Sequence, residues 1–412
     1  MKQRLPILLS HPASLLLAPC LALACAVAEA QSSPYYIGVA QTFAHNSNLI
    51  ALRDNQPLPA GLSKSDTVSS TALVAGIDQP IGRQRVFGTA NLSSNRYSRN
   101  SDFNSSGYAL RLGVDWQTIE RLSGRVSVAS DRTVRADVRD ARDQFILRSN
   151  AETANQLDAS VSLGLVTRLS AEAGVSRRDV RYSAVQAGFR EFQQSSASLG
   201  LRYRPGSSLT YGLGLRQTRW NYPNLLVGTA DPADRRTRND LDGSLVWKPT
   251  GPSSFDFRLS SGKTEHEQFD VRDFSGVTGS LGWEWQPTAK LRFSTRLARD
   301  TGQDADRLTT AFTRTTDSLR VNGEYALSAK IAVNLSLSAF DRLQAGRGLV
   351  VSGLNGREKG NSLGLGARWA PLRSTVVGCN VSSERVGRNR NPNLNDAYSS
   401  STTSCYGQFI LQ

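Results

Sequence analysis

The sequence predicts an all-β protein: a transmembrane antiparallel up-and-down β-barrel of about 18 strands, with 16 as the alternative, after a cleaved signal peptide. Three observations carry this prediction. Apolar and polar residues alternate with period two, as expected of strands with one apolar and one polar face. The links between such segments alternate between short and long. Aromatic residues gather just before the short links.

The first 30 residues have the character of an export signal. Lys2 and Arg4 give a positive start, residues 15–28 are mostly apolar, and Ala28 and Ala30 offer small residues at a cleavage site. This pattern predicts a signal peptide over residues 1–30 and one barrel domain over residues 31–412. No later segment has the ~18 consecutive apolar residues of a membrane helix.

Strand prediction is clearest over residues 108–116. Every even position there is apolar or aromatic, whereas the odd positions hold Ala, Arg, Gly and Asp. An amphipathic helix would instead need apolar residues three and four apart. The same alternation predicts strands over residues 199–204, 241–247, 277–285, 291–297, 319–327 and 363–369.

The links set the strand count. Eight short links are predicted near residues 80–82, 118–121, 168, 205–206, 249–252, 287–289, 328–329 and 371–372. Nine longer polar links are predicted at 46–66, 98–104, 136–151, 184–190, 221–236, 267–273, 301–313, 344–359 and 387–398. Seventeen connections make eighteen strands. Bacterial barrels have short periplasmic turns and long extracellular loops, so both chain ends are expected in the periplasm.

Aromatic residues support a membrane barrel over a soluble sandwich. They lie on the apolar face just before short links, which predicts an aromatic girdle at one bilayer interface. A soluble core would not favour one class of turn. The predicted girdle comprises Trp116, Tyr203, Trp247, Trp283, Trp285, Tyr325 and Trp369.

The net charge of +14 comes mainly from arginines that are spread singly along the strands. A basic chain can bind nucleic acid, but the export signal and this even spread argue against that partner. Period two instead places the arginines in the lumen, together with Asp115, Asp242, Asp256, Glu284 and Glu324. The lumen arginines are Arg111, Arg125, Arg202, Arg204, Arg216, Arg258, Arg292, Arg296, Arg320 and Arg368.

Two interpretations of these arginines stay open. Cross-strand ion pairs that stiffen the barrel would account for half or more of them. The surplus would favour anions, because guanidinium groups bind carboxylates and phosphates bidentately. The expected ligands are therefore anions, or polymers that carry uronic-acid or pyruvyl groups. An 18-stranded barrel is wide enough for an aqueous channel.

Cys379 and Cys405 fall on the last two predicted strands, and their midpoint is residue 392, inside the link at 387–398. An antiparallel hairpin would place them nearly opposite each other on the apolar face. Either a cross-strand disulfide or two free thiols fits this placement. A disulfide would limit fraying of the final hairpin.

The sequence predicts no enzyme, no cofactor and no structural metal site. Only His45 and His266 remain beyond the signal, and neither belongs to a recognisable Ser-His-acid arrangement. Calcium binding by the Asp-rich stretches at 131–143 or 300–306 stays an alternative to solvated charged loops.

Four stretches resemble the EpsL family of outer-membrane proteins, which are encoded in exosortase and PEP-CTERM polysaccharide clusters. They are residues 65–68 (SDTV), 76–85 (GIDQPIGRQR), 91–97 (NLSSNRY) and 115–124 (DWQTIERLSG). The resemblance covers roughly residues 36–135. It implies a role in exopolysaccharide export or biosynthesis and transfers no catalytic residue. The partners it implies are an exopolysaccharide that can be anionic and other polysaccharide-export proteins, besides the outer-membrane lipid expected around the barrel. The rival interpretations are a general or sugar-selective porin, and a plugged barrel that anchors polymer or partner proteins.

Overall fold

The computed structural model describes residues 33–53, 56–135, 150–166, 168–224, 234–267, 273–307, 310–346, 355–388 and 397–412. The predicted signal peptide lies outside these residues. Within them, helix is confined to two short 3₁₀ segments, Ser101–Phe103 and Val185–Arg190. No helix in the described ranges is long and apolar enough to cross a membrane.

The chain forms one closed antiparallel sheet of 18 strands, in which each strand pairs with its neighbours in sequence and β1 pairs with β18. This confirms the predicted all-β up-and-down barrel. The strands are β1 (Tyr35–Asn46), β2 (Asp66–Ile81), β3 (Gln84–Tyr97), β4 (Ser105–Gln117), β5 (Leu122–Arg135), β6 (Asn150–Val166), β7 (Leu169–Tyr182), β8 (Phe192–Tyr203), β9 (Leu209–Tyr222), β10 (Asp234–Thr250), β11 (Ser253–His266), β12 (Phe274–Thr288), β13 (Leu291–Arg307), β14 (Thr310–Ala326), β15 (Ile331–Gly346), β16 (Asn355–Leu372), β17 (Thr375–Val386) and β18 (Tyr398–Leu411).

Two predicted long links are partly strand. The link predicted at 301–313 shrinks because β13 continues to Arg307 and β14 begins at Thr310. The link predicted at 344–359 shrinks in the same way between β15 and β16. Outside the bilayer the apolar-polar alternation stops, but backbone hydrogen bonding continues. A search for alternation therefore ends these strands too early.

The register gives each strand an outward and an inward face. Large apolar side chains on the outward face are widely exposed, with Leu199 at 68% and Leu215 at 65%. Such a continuous exposed apolar surface is unfavourable in water but is expected against lipid. The inward face carries Ser, Gly, Asn and charged residues instead. We call the end of the barrel with the short links the turn end, and the other the loop end.

Aromatic rings form a stacked row at the turn end on the outward face of β10–β13. The ring centroids of Trp247 and Phe255 lie 5.5 Å apart, and those of Phe255 and Trp283 lie 6.0 Å apart. The row continues through Trp285 to Phe293 in steps of 5.8 Å. Trp116, Tyr203, Tyr325 and Trp369 also face outward at this end. This is the geometry of an interfacial girdle.

The last hairpin is cross-linked on its outward face. Cys379 of β17 lies directly opposite Cys405 of β18, with their Cα atoms 4.1 Å apart, and the two form a disulfide. Because β18 also pairs with β1, the disulfide lies one strand away from the seam that closes the barrel.

Ordered links narrow the mouth at the loop end. The β1–β2 link buries Ile50 and Leu52 against Phe103, beside Tyr97 on the inward face of β3. Cα atoms of β13 come within 8 Å of those of the 3₁₀ helix Val185–Arg190. That helix joins β7 to β8, so the contact spans several strand positions of the barrel. The β7–β8 link and β13 therefore meet across the loop end of the barrel.

Candidate functional site

The register places all ten predicted lumen arginines at inward-facing positions. Arg216 lies opposite Ser198 and Asp240, Arg296 lies opposite Gly282, and Arg368 lies opposite Ala332. Arg204 follows the end of β8 at the turn end and keeps the same parity. The five predicted lumen acids share this face. The inward arginines differ in whether a carboxylate lies close to the guanidinium group.

Among the described residues, ion pairs within the wall include five of the ten arginines. Arg125 donates to Asp115 at 2.5 Å, and Arg202 lies 2.7 Å from Glu172. Arg216 lies 3.1 Å from Asp242 and 3.4 Å from Asp240. The other two pairs are Arg368 with Glu324 at 2.9 Å and Arg292 with Glu284 at 3.9 Å. Four of these arginines help to hold neighbouring strands together, whereas the Arg368–Glu324 pair joins β16 to β14 across β15.

The best-connected group, which we call the turn-end network, lies on β2–β5. Arg85 makes a bidentate contact with Asp78 and a 3.5 Å contact with Asp115, which also accepts from Arg125. The two guanidinium groups lie 5.5 and 5.2 Å from the Phe87 ring centroid. Gly113 makes room for that ring, because a Cβ at this position would collide with it. Both arginines of this network have carboxylate partners.

Arg296 and Arg320 differ from these. They lie directly opposite each other on β13 and β14, and we call them the arginine pair. In the described part of the chain neither guanidinium has a carboxylate within 4 Å; Arg296 donates only to Ser280, at 3.1 Å. Like charges directly opposite on a sheet repel. An anion between them would relieve that repulsion.

The neighbourhood of the arginine pair is polar, and its charged members include Asp300 on the same strand, which interacts electrostatically with Arg296. Ser338 lies opposite Arg320, and Ser294 lies opposite Asn322 one step nearer the turn end. Ser336 and Ser362 extend this hydroxyl-lined wall over β15 and β16. Hydroxyl and amide groups both donate and accept hydrogen bonds, as sugar hydroxyls do. The wall can therefore hydrogen-bond a sugar chain while the arginines bind its acidic substituents.

One further arginine borders this site. Arg258 of β11 interacts electrostatically with both Arg296 and Asp256. Gly282, between Asp256 and Arg296 in the register, carries no side chain, and a Cβ there would collide with the Asp256 carboxylate. The Asp256 carboxylate therefore lies over Gly282, toward β13, but more than 4 Å from the Arg296 guanidinium group.

Arg111 and Arg204 are isolated. Arg111 lies between Thr89 and Ala129 and is exposed. Arg204 donates to the Thr210 hydroxyl at 3.4 Å. Neither has a carboxylate within 4 Å in the part of the chain that the structure describes. Each is a candidate secondary contact for an anion in the lumen.

Several inward arginines were missed by the sequence analysis. Arg238 lies 2.7 Å from Asp240, and Arg342 donates to the nearly buried Glu358 at 2.7 Å. Both lie near the loop end, where alternation fades and the inward face cannot be assigned from pattern alone. Arg85 follows directly after a short link, and its parity with Phe87 could have revealed it.

The remaining chemistry is sparse. His45 lies 3.0 Å from the Thr67 hydroxyl, whereas His266 is buried with its Nδ1 atom 3.5 Å from Asp273. Among the described residues no cluster of three or more His, Cys, Asp or Glu could hold a metal ion. The stretches considered for calcium, 131–143 and 300–306, fall mostly on positions whose side chains lie outside the described part. The absence of an enzyme activity stays a prediction.

Comparisons with known proteins identify a fold and no family. No family model and no curated protein matches the chain. Among solved structures, the FrpB iron transporter of Neisseria meningitidis (F5-1 variant) aligns over 92% of this chain and 83% of that one, at 9% identity and a TM-score of 0.50. Its apoprotein form aligns over 92% and 81%, at 10% identity and a TM-score of 0.50. A mutant of the ferric enterobactin receptor PfeA of Pseudomonas aeruginosa aligns over 92% and 81%, at 8% identity and a TM-score of 0.49. The fold is thus that of an outer-membrane β-barrel.

Proposed function

We propose that this barrel lies in the outer membrane and takes part in exopolysaccharide export, with its lumen as a docking surface or passive conduit for an acidic polymer. The observation that carries the proposal is the arginine pair, two facing cations without a carboxylate partner among the described residues, in a hydroxyl-lined wall. The resemblance of residues 36–135 to the EpsL family supports the same role.

The chemistry of the pair favours carboxylate or phosphate substituents on a sugar chain. A guanidinium group presents paired N–H donors that match a carboxylate, and charge-assisted bonds of this kind are strong. A neutral sugar would leave the repulsion between Arg296 and Arg320 in place. Uronic-acid or pyruvylated polymers are therefore favoured over neutral ones.

The narrowed mouth bears on how the polymer would pass. Arg238 of β10 donates to the Thr301 hydroxyl of β13 at 3.4 Å, although two strands separate β10 from β13. This contact joins the loop-end part of β13 to β10 across the two strands between them. The arrangement favours docking of the polymer over its free passage.

A sugar-selective porin is the main alternative. It would use the same arginine pair to select small acidic solutes without an export partner. The polar inward wall suits both functions, so the two differ in what happens to secreted polymer.

The test is an in-frame deletion in the native host, with polysaccharide measured separately in medium, periplasm and cytoplasm. The deletion strain is complemented with wild type, with an Arg296→Glu/Arg320→Glu variant, or with a Lys290→Glu/Lys330→Glu control. The control makes the same charge change in exposed turns at the turn end. Surface amounts of the three proteins are matched by immunoblotting.

We expect polymer to accumulate in the periplasm of the deletion strain and to return to the medium with wild type and the control, but not with the lumen variant. Unchanged secretion in the deletion strain would contradict the export function. Normal secretion combined with lost uptake of small acidic solutes would favour the porin.

A further inference from the structure

The outward surface changes character from the middle of the barrel toward the loop end. Exposed apolar residues such as Val175 and Leu215 give way to exposed cations within two to four residues along the same strands. With a rise of about 3.3 Å per residue along a tilted strand, these cations lie close to the edge of the apolar belt. A flexible arginine there can reach the headgroup region.

The exposed cations near the loop end form two arcs around the barrel. The arcs differ in how many of their cations have a carboxylate partner. On β11–β16, which we call the paired arc, Lys263 lies 2.8 Å from Glu265 and Arg299 lies 2.6 Å from Asp317. Arg357 and Lys359 of the same arc lie 2.6 and 3.6 Å from Asp341. On β3–β9, which we call the open arc, Arg181 is exposed and lies 2.9 Å from Asp179, whereas the exposed cations Arg96, Arg132, Arg177 and Arg219 have no such pair in the described part of the chain. Within the described residues, no carboxylate lies within 4 Å of any of these four guanidinium groups.

The open arc also contains a shaped groove. One register row runs across β5, β4, β3 and β2 through Arg132, Tyr108, Leu92 and Leu73. These four residues line an outward groove of about 460 Å³, together with the hydroxyl groups of Thr71 and Ser94. Its floor is therefore apolar on the β2–β3 side, and its β4–β5 side carries a phenol and a guanidinium group.

Arg177 and Arg219 form a second part of the open arc. They lie in one row on either side of Ser195, which places their Cα atoms roughly 10 Å apart at the usual strand spacing. Two phosphate groups on one headgroup could contact both. The hydroxyl group of Ser195, which lies between them, would suit the sugar that joins such phosphates.

We propose that the open arc binds an acylated sugar lipid that carries phosphate groups, taken from the outer leaflet. The headgroup of one such lipid contacts Arg177 and Arg219 with its phosphates and Ser195 with its sugar, above acyl chains that lie on the apolar belt. A second molecule lies in the groove, with a phosphate at Arg132 and its acyl chains beside Leu73 and Leu92. Guanidinium groups that have no carboxylate partner among the described residues can bind phosphate through charge-assisted hydrogen bonds. The paired arc lacks this capacity because its own acids occupy its cations.

The test uses the purified full-length barrel in phosphatidylcholine nanodiscs that contain diphosphorylated lipid A, the same lipid without phosphates, or phosphatidylglycerol. Bound lipid per barrel is counted by native mass spectrometry after detergent exchange. The open-arc variant is R96Q/R132Q/R177Q/R219Q. The matched control is K263Q/R299Q/R357Q/K359Q, which removes the same charge from the paired arc.

We expect wild type and the control to retain the diphosphorylated lipid in preference to the other two lipids. In the open-arc variant, affinity should fall by about fivefold for each arginine that contacts a phosphate. Equal retention of the phosphorylated and phosphate-free lipids by wild type would overturn the proposal without requiring any variant. Equal losses in the two variants, or equal retention of phosphatidylglycerol, would also overturn it, because binding would then reflect general charge.

Discussion

The turn-end network and the arginine pair use the same residue type on the same inward face, yet they have different consequences. In the network, Arg85 and Arg125 share Asp115, and Asp78 binds Arg85 as well. In the pair, the residue that lies opposite Arg296 is Arg320, another cation. The register partner, and not the arginine itself, decides whether the charge is used internally or is available to a ligand.

Because of this difference, the network contributes to the stability of the wall, whereas the pair is available to bind a ligand. Ion pairs across strands contribute modestly to a sheet, roughly 0.2–1 kcal/mol each, so the network acts mainly to fix the wall. Two opposed arginines contribute repulsion instead. A barrel that keeps such a pair loses some stability unless a ligand compensates, which is the pattern expected of a binding site.

The largest expected effect comes from reversing the pair. In Arg296→Glu/Arg320→Glu the site repels acidic sugars, and the affinity for an acidic oligosaccharide should fall about hundredfold, or about tenfold for each lost charge-assisted contact. Isothermal titration calorimetry of the purified barrel in detergent measures this affinity. The Lys290→Glu/Lys330→Glu control should keep the wild-type value, and an equal fall in that control would show a general charge effect.

A smaller change gives the pair the partner that the network already has. Ser338 lies directly opposite Arg320, so Ser338→Asp places a carboxylate beside it. Both arginines remain, but the affinity for acidic sugar should fall about tenfold because an internal acid competes with the ligand. Ser382→Asp on β17 is the control and should change the affinity little. Undiminished binding in Ser338→Asp would mean that Arg320 does not contact the ligand.

The converse change makes the network resemble the pair. Asp115→Asn removes the shared negative charge, which leaves Arg125 without its anionic partner. A weak second anion site should appear, with a gain in affinity of no more than about fivefold, because exposed ion pairs are worth ~0.2–1 kcal/mol. The midpoint of urea unfolding in detergent should fall at the same time. An unchanged midpoint would show that the network does not stabilise the wall.

The smallest expected effect on binding comes from the disulfide. Cys379→Ser/Cys405→Ser removes an outward cross-link that lies on β17 and β18, away from the pair around the sheet. Binding of acidic sugar should not change, whereas unfolding in urea should become easier by about 2–4 kcal/mol. Loss of binding in this variant would mean that the lumen site depends on the closing hairpin.

Much of the fold could be predicted from the sequence because bilayer and lumen impose opposite requirements on alternate residues. The long links were located to within a few residues wherever the alternation ended with the membrane. The prediction of strand ends from alternation failed at β13–β16, where the strands continue beyond the apolar belt and the alternation stops. There, only backbone pairing marks the strand.

Only part of the candidate site could be predicted from the sequence. Parity placed Arg296 and Arg320 in the lumen, but register decides that they oppose each other, and register depends on the length of the β13–β14 hairpin. The same limit hid the partners of Arg125 and Arg216. Phe255 and Phe293 were missed in the aromatic row because each comes just after a short link, whereas the girdle had been sought just before such links.

The most direct test of the central claim compares two ligands that differ only in charge. Purified barrel is titrated with oligogalacturonate and with its fully methyl-esterified, neutral form, for wild type and for Arg296→Gln/Arg320→Gln. The account predicts that wild type binds the acid form more tightly and that the variant lowers this affinity to that of the neutral form. Equal binding of the two forms by wild type, or undiminished preference for the acid form in the variant, would contradict it.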